Sequence, residues 1–131
     1  LAKHVYDNVK KGNLRAYEEP QESDIYIICV PTPFLEISGE LVPNLEYVFD
    51  ASSRLSNLLK PGDMIILEST CPVGTTQKVC DLLFSMEVDI AHINIAYCPE
   101  RVLPGNILYE LSHNDRIVGG LTDDATIDIS N

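Results

Sequence analysis

The chain has 131 residues, 45% of them hydrophobic and 22% charged, with a net charge of −11. That length suffices for one domain with a real core. The acidic balance argues against nucleic acid or an anionic membrane as a partner, since both need clustered Lys and Arg, and no apolar run approaches the length of a membrane span.

Leu1, Val5 and Val9 share one face of a predicted helix, with Gly12 as its C-terminal stop. Leu14 to Tyr17 reads as a short strand, followed by a polar turn through Asp24. Ile25-Tyr26-Ile27-Ile28-Cys29-Val30 is a continuous apolar run, read as a buried strand, that ends at Pro31-Thr32-Pro33. Phe34 to Val42 reads as a loop around Gly39. Pro43 suits the first turn of a helix, whose stripe is Leu45, Val48, Phe49, Leu55, Leu58 and Leu59. Met64-Ile65-Ile66-Leu67 is a second buried strand and runs into Glu68-Ser69-Thr70-Cys71-Pro72. A third helix starts near Gly74, capped by Thr75 or Thr76, and turns Val79, Leu82, Leu83 and Met86 inward. Ile93 to Tyr97 is the third buried strand and runs into Cys98-Pro99-Glu100-Arg101. Leu103 to Leu111 then reads as a loop with a helical turn, and Arg116 to Val118 as a short strand before Gly119-Gly120.

Continuous apolar strands separated by helices imply an α/β fold with a parallel sheet covered on both faces. Ligands of such open sheets bind beyond the carboxyl ends of the strands, so Thr32, Ser69, Thr70 and Glu100 are expected along one rim. The four cysteines form no C-x-x-C pair, and no histidine stands at a zinc-ligand spacing. Cys29, inside a predicted strand, and Cys80, on a helix face, read as buried thiols. No metal site is expected, and a reducing cytoplasm is the simplest setting. No G-x-G-x-x-G turn occurs to hold a pyrophosphate at a helix N-terminus. Either the chain binds no nucleotide, or its first βαβ unit lies upstream of Leu1. In the second case Ile25 to Val30 loses a neighbour, and Leu14 to Tyr17 or another copy of the chain is expected to cover its edge.

Three ordered motifs carry a family resemblance: Val30-Pro31-Thr32-Pro33, Glu68-Ser69-Thr70-Cys71-Pro72-Val73-Gly74, and Tyr97-Cys98-Pro99-Glu100-Arg101-Val102-Leu103-Pro104-Gly105. Together they resemble the UDP-glucose/GDP-mannose dehydrogenase family, and the last motif most resembles its UDP-N-acetylmannosamine branch. The resemblance implies a Rossmann-like parallel sheet with flanking helices, lacking the first βαβ unit. Residues 1–131 would be the later part of a single NAD-binding domain, with central and C-terminal domains absent. It also implies oxidation of a UDP-sugar C6 hydroxyl to a carboxylate by two NAD, in a homo-oligomeric enzyme of polysaccharide biosynthesis.

By the same resemblance, Pro31, Thr32, Ser69, Thr70 and Glu100 face NAD, and Thr70 and Glu100 hold a catalytic water. Backbone at Arg101, Val102 and Leu103 faces the UDP-sugar. The UDP-glucose members carry a second glutamate where this chain has Pro104, which points away from UDP-glucose. The family's nucleophilic cysteine, catalytic lysine and asparagine belong to a later domain, and neither Cys71 nor Cys98 matches that nucleophile. The 131 residues alone are therefore expected to be inactive and to bind NAD⁺ weakly.

The roles also stand on the residue types. A carboxylate beside a hydroxyl orients water and shuttles protons well when partial burial raises its pKa. Each has a plainer reading: Thr32 satisfying its turn, Ser69 or Thr70 shaping or capping one, Glu100 solvated, Arg101 paired with a local carboxylate. The rival functions are specificity for UDP-N-acetylglucosamine or another nucleotide sugar, and a non-catalytic Rossmann-like binding module.

Overall fold

The computed structural model describes residues 2–103 and 105–131; the expectations for Leu1 and Pro104 lie outside it. The described residues form two compact units. The larger comprises Glu22–Arg101 with Asp115–Asn131, and the smaller comprises the residues up to Gln21 with Val102–Asn114.

In the larger unit, strands β1 (Ile25–Ile28), β4 (Met64–Leu67) and β5 (Asn94–Tyr97) pair in parallel in that order, and β6 (Gly119–Gly120) closes the sheet antiparallel to β5. The register aligns Tyr26, Ile65 and Ile95, then Ile28, Leu67 and Tyr97. Partners in register point to one face, and this face packs on helices α2 (Glu46–Leu55) and α3 (Thr75–Ser85) through Val48, Leu55, Val79 and Leu83. Ile65, Leu67, Leu83, Val48 and Val79 are almost wholly buried, each worth about 1.5–3 kcal/mol of apolar transfer. Helix α5 (Asp123–Ser130) packs on β5 and β6. Its Asp128 accepts from Asn94 Nδ2 at 2.8 Å, on the face opposite Ile95.

Several expectations need correction. The first strand stops at Ile28, because Val30 N–H turns to a side chain and leaves the ladder. Coverage on both faces holds only in part: Ile25 and Ile27 remain more than half exposed on the face opposite Tyr26 and Ile28. Phe34 to Val42 is no loop. It forms most of an antiparallel hairpin of β2 (Phe34–Ile37) and β3 (Glu40–Pro43), turned by Ser38 and Gly39 at φ 54° and 84°, the paired positive values of a two-residue hairpin turn. Pro43 therefore closes a strand, and α2 begins at Glu46. Leu58 and Leu59 lie in the turn after α2 yet still pack against the core. Helix α3 has Gly74 at its N-cap, with φ 87° and no side-chain cap. Thr75 Oγ1 donates instead to the Pro72 carbonyl at 2.8 Å, and Met86 lies beyond the helix, exposed. The last strand is Gly119–Gly120 rather than Arg116 to Val118. A Cβ on Gly120 would stand 2.5 Å from Thr126 N, so only glycine lets α5 fold back this closely.

In the smaller unit, α1 (Ala2–Lys11) ends as expected at Gly12, which has φ 77°. Gly12 N donates to Val9 O at 3.1 Å and Asn13 N to Asn8 O at 2.9 Å, the bonding of a Schellman cap. Leu14 N also turns back to Asn8 O, at 3.2 Å. Leu14 to Tyr17 consequently forms no strand, and β1 pairs only with β4 among the described residues. The helical turn expected within Leu103 to Leu111 is the longer helix α4 (Ile107–His113), with Tyr109 and His113 stacked at 3.9 Å. No helix among the described residues is long and apolar enough to cross a membrane.

Candidate functional site

Because β1, β4 and β5 run parallel in one register, the turns that follow Ile28, Leu67 and Tyr97 emerge along one rim of the sheet. The first two are bound to each other. Glu68 N and Ser69 N both donate to the Ile28 carbonyl, at 3.0 and 3.2 Å. Ser69 Oγ donates to the same carbonyl at 3.2 Å and accepts from Val30 N at 2.7 Å. A serine 8% exposed thus continues the ladder where the backbone leaves it. Thr32 Oγ1 adds a second tie, donating to the Thr70 carbonyl at 2.7 Å. Pro31 and Pro33 have no N–H to give, so this turn is held chiefly from the β4 side. Tyr97 Oη accepts from Cys71 N at 3.4 Å and links the β4 turn to β5.

A second cluster sits at the same strand ends. Glu68 directly follows β4, and both its carboxylate oxygens are engaged: Oε1 pairs with Arg116 Nη2, and Oε2 accepts from the Cys29 thiol at 3.1 Å. Arg116 Nη2 also donates to the Cys98 carbonyl at 3.4 Å. Burial pushes the Glu68 carboxyl up, but the hydrogen bonds from Arg116 and Cys29 and the Arg116 charge prevail, so its pKa lies below the usual value. The thiol of Cys29 is pushed up to about 11, by burial first, then by its bond to Glu68 and the charge on that carboxylate. Cys29 is therefore no buried strand thiol. It is exposed, one residue past β1, and is a poor source of thiolate at neutral pH.

Glu100 sits on the β5 turn, where its charge also helps raise Cys29. The partial burial expected for Glu100 is absent, since the residue is exposed. Arg101 Nη1 reaches the Asp115 carbonyl at 3.5 Å, a backbone partner. Val102 and Leu103 belong to the smaller unit, and there Leu103 N donates to Glu110 Oε2 at 2.8 Å. A hydrogen bond thus joins Thr32 to Thr70 directly, and Ser69 ties the same two turns through Val30 N and Ile28 O, while Arg101 belongs to the larger unit.

A model of the UDP-glucose/GDP-mannose dehydrogenase family, NAD binding domain, matches residues 1–131. The chain belongs to this family. It is 45% identical to the UDP-N-acetyl-D-mannosamine dehydrogenase of Escherichia coli (strain K12), over 93% of this chain and 30% of that protein. It is 44% identical to the NDP-N-acetyl-D-galactosaminuronic acid dehydrogenase of Ralstonia nicotianae, over 87% of this chain and 28% of that protein. The UDP-D-ManNAc dehydrogenase structure from Pyrococcus horikoshii superposes with a TM-score of 0.86 at 32% identity, covering 97% of this chain and 31% of its own. The chain thus spans under a third of the length of these relatives.

Membership in the dehydrogenase family makes NAD the cofactor of this domain, and the rim can be tested for fit. Pro31, Pro33 and Thr70 are exposed, and Thr32 Oγ1 ties the proline turn to the Thr70 carbonyl. Such a surface suits the flat, weakly charged adenosine or nicotinamide end of a dinucleotide. It does not suit the pyrophosphate: Arg116 is already paired with Glu68, and none of the three turns is glycine-rich. The rim fits one part of NAD. Sequence reasoning missed Glu68 and Arg116 as members of the site. An acidic residue closing an apolar strand was a visible signal, but its partner stands 48 positions away.

Proposed function

We propose that this chain is the later part of the NAD-binding domain of a nucleotide-sugar 6-dehydrogenase acting on UDP-N-acetylmannosamine. The reaction converts the C6 alcohol and one water to a carboxylate, and NAD supplies the hydride acceptor for each of the two oxidations. Pro31, Thr32 and Ser69 shape the surface against the adenosine side of NAD. Thr70 orients the water, and Glu100 accepts and returns its protons. Backbone at Arg101, Val102 and Leu103 faces the sugar nucleotide. The observation that carries this reading is the meeting of the three motif turns at the carboxyl ends of adjacent parallel strands, where ligands of open α/β sheets bind.

The test is to assay the full-length protein with a panel of UDP- and GDP-sugars. UDP-N-acetylmannosamine should give two NADH per uronic acid formed. The 44% identity to the Ralstonia enzyme favours an N-acetylgalactosamine-type sugar as the second reading, and turnover of that sugar alone would decide for it. Absence of NADH with every sugar would leave the non-catalytic module.

A further inference from the structure

Glu100 lies inside the four-residue turn Cys98-Pro99-Glu100-Arg101, and both ends of that turn are held by one neighbouring dipeptide. Arg116 donates to the Cys98 carbonyl at 3.4 Å, and Arg101 donates back to the Asp115 carbonyl at 3.5 Å. Each contact is long for a hydrogen bond, so neither fixes the turn alone. What anchors the pair is Glu68. Its carboxylate takes Arg116 on one oxygen and Cys29 on the other, and its backbone leads directly into Ser69-Thr70. One ion pair therefore bridges the turns carrying the two proposed catalytic residues, Thr70 and Glu100, and reaches the end of β1 through Cys29.

An isolated surface ion pair would do little. This one is partly enclosed, with side chains 19% and 35% exposed for Glu68 and Arg116, and it ties the Asp115-Arg116 segment, which has no ladder to β4, to the β4 end, where Cys98 N already donates to Leu67 O at 3.0 Å. A single guanidinium nitrogen, Nη2, addresses both the carboxylate and the Cys98 carbonyl, and the rigid planar group fixes those two directions where a lysine ammonium on a flexible stem does not. An anion-binding role fits poorly, since Glu68 already neutralises the arginine.

We propose that Glu68 and Arg116 are a positioning couple that sets the distance between the Thr70 turn and the Glu100 turn, touching neither substrate nor cofactor. The proposal rests on the dehydrogenase reading of Thr70 and Glu100. Its test uses the full-length enzyme with Glu68→Gln, Arg116→Lys and the double variant Glu68→Gln/Arg116→Gln. Misplacing a catalytic group by about 1 Å costs on the order of 10²-fold in rate. Each single variant should therefore lose about 10- to 100-fold in kcat, with KM for NAD⁺ within about 3-fold of wild type. The double variant should lose no more than the worse single, because both remove one device.

Amide exchange should quicken at Ser69-Thr70 and Glu100-Arg101 together and stay unchanged in β4 and β5. Two results would overturn the proposal: wild-type kcat with unaltered exchange, or a kcat loss accompanied by faster exchange throughout β4 and β5. The exchange measurement needs no substrate. If the wild-type protein oxidises no nucleotide sugar, the functional reading fails while the coupling of the two turns is still decided.

Discussion

The turns after β4 and β5 are built in opposite ways. The β4 turn is sewn into its neighbours by a buried serine bonded to Val30 N and Ile28 O, a threonine hydroxyl on its Thr70 carbonyl, and a tyrosine on Cys71 N. The β5 turn carries an exposed glutamate and is steadied by two long arginine contacts to one dipeptide. In the first turn, polar groups are spent on shape. In the second, the carboxylate stands exposed on a turn whose ends are held by two arginines. A polar residue in a motif thus has two possible employments, and burial distinguishes the enclosed Ser69 from the exposed Glu100.

The largest expected effect lies at the β5 turn. Glu100→Gln in the full-length enzyme should reduce kcat by about 10²–10⁴-fold, the usual contribution of general acid–base catalysis. KM for NAD⁺ should barely move, because the lost group works on water and protons. Steady-state kinetics decide the matter, and near-normal turnover would remove Glu100 from the chemistry and dissolve the contrast between the turns.

The β4 turn should respond through stability. Ser69→Ala strands Val30 N–H in a largely enclosed position, a loss of about 1–3 kcal/mol visible as a lower denaturant midpoint. Thr32→Val removes a more accessible bond and should cost less, about 0.5–1.5 kcal/mol. If either variant instead raised KM for NAD⁺ at unchanged stability, that hydroxyl would belong to the cofactor site and not to the scaffold.

The parallel core was legible because mostly apolar runs of four to six residues, separated by helical stripes, have few alternative folds. The turns were legible for the same reason, since strand ends in such a sheet share a rim. Features that depend on distant partners were not. The first strand was drawn two residues too long because Ser69, 39 positions away, takes Val30 N–H. Cys29 looked buried until Glu68 accounted for its thiol. Arg116 read as part of a short strand, and nothing local tied it to Glu68. Two misses were readable. Ser38-Gly39 between four-residue runs signals a hairpin. Thr122 before Asp123-Asp124 signals a helix start, and its hydroxyl does accept from Ala125 N at 3.0 Å.

The smallest expected effect sharpens the contrast from the side of charge. Glu68 has a lowered carboxyl pKa in the fold, so its contribution to stability is present above the unfolded value, near 4.5, and is lost as pH falls through the lower folded value. Cys29 has a raised one, so its contribution is present below pH 9 and is lost as pH rises through about 11. The two limits share one hydrogen bond, and Glu68→Gln should move both. The acid loss should shrink, because glutamine has no proton to gain. The Cys29 pKa should fall, because a negative acceptor is replaced by a neutral one, although burial, its largest cause, remains. Iodoacetamide at pH 9 should then label Cys29 faster in the variant than in wild type, as read by peptide mass spectrometry. Cys71 and Cys80, whose pKa values are raised chiefly by burial, serve as internal controls and should keep their rates. Equal acceleration at all three thiols would mean that the variant has loosened the whole unit, and an unchanged Cys29 rate would mean that its thiol does not rest on Glu68.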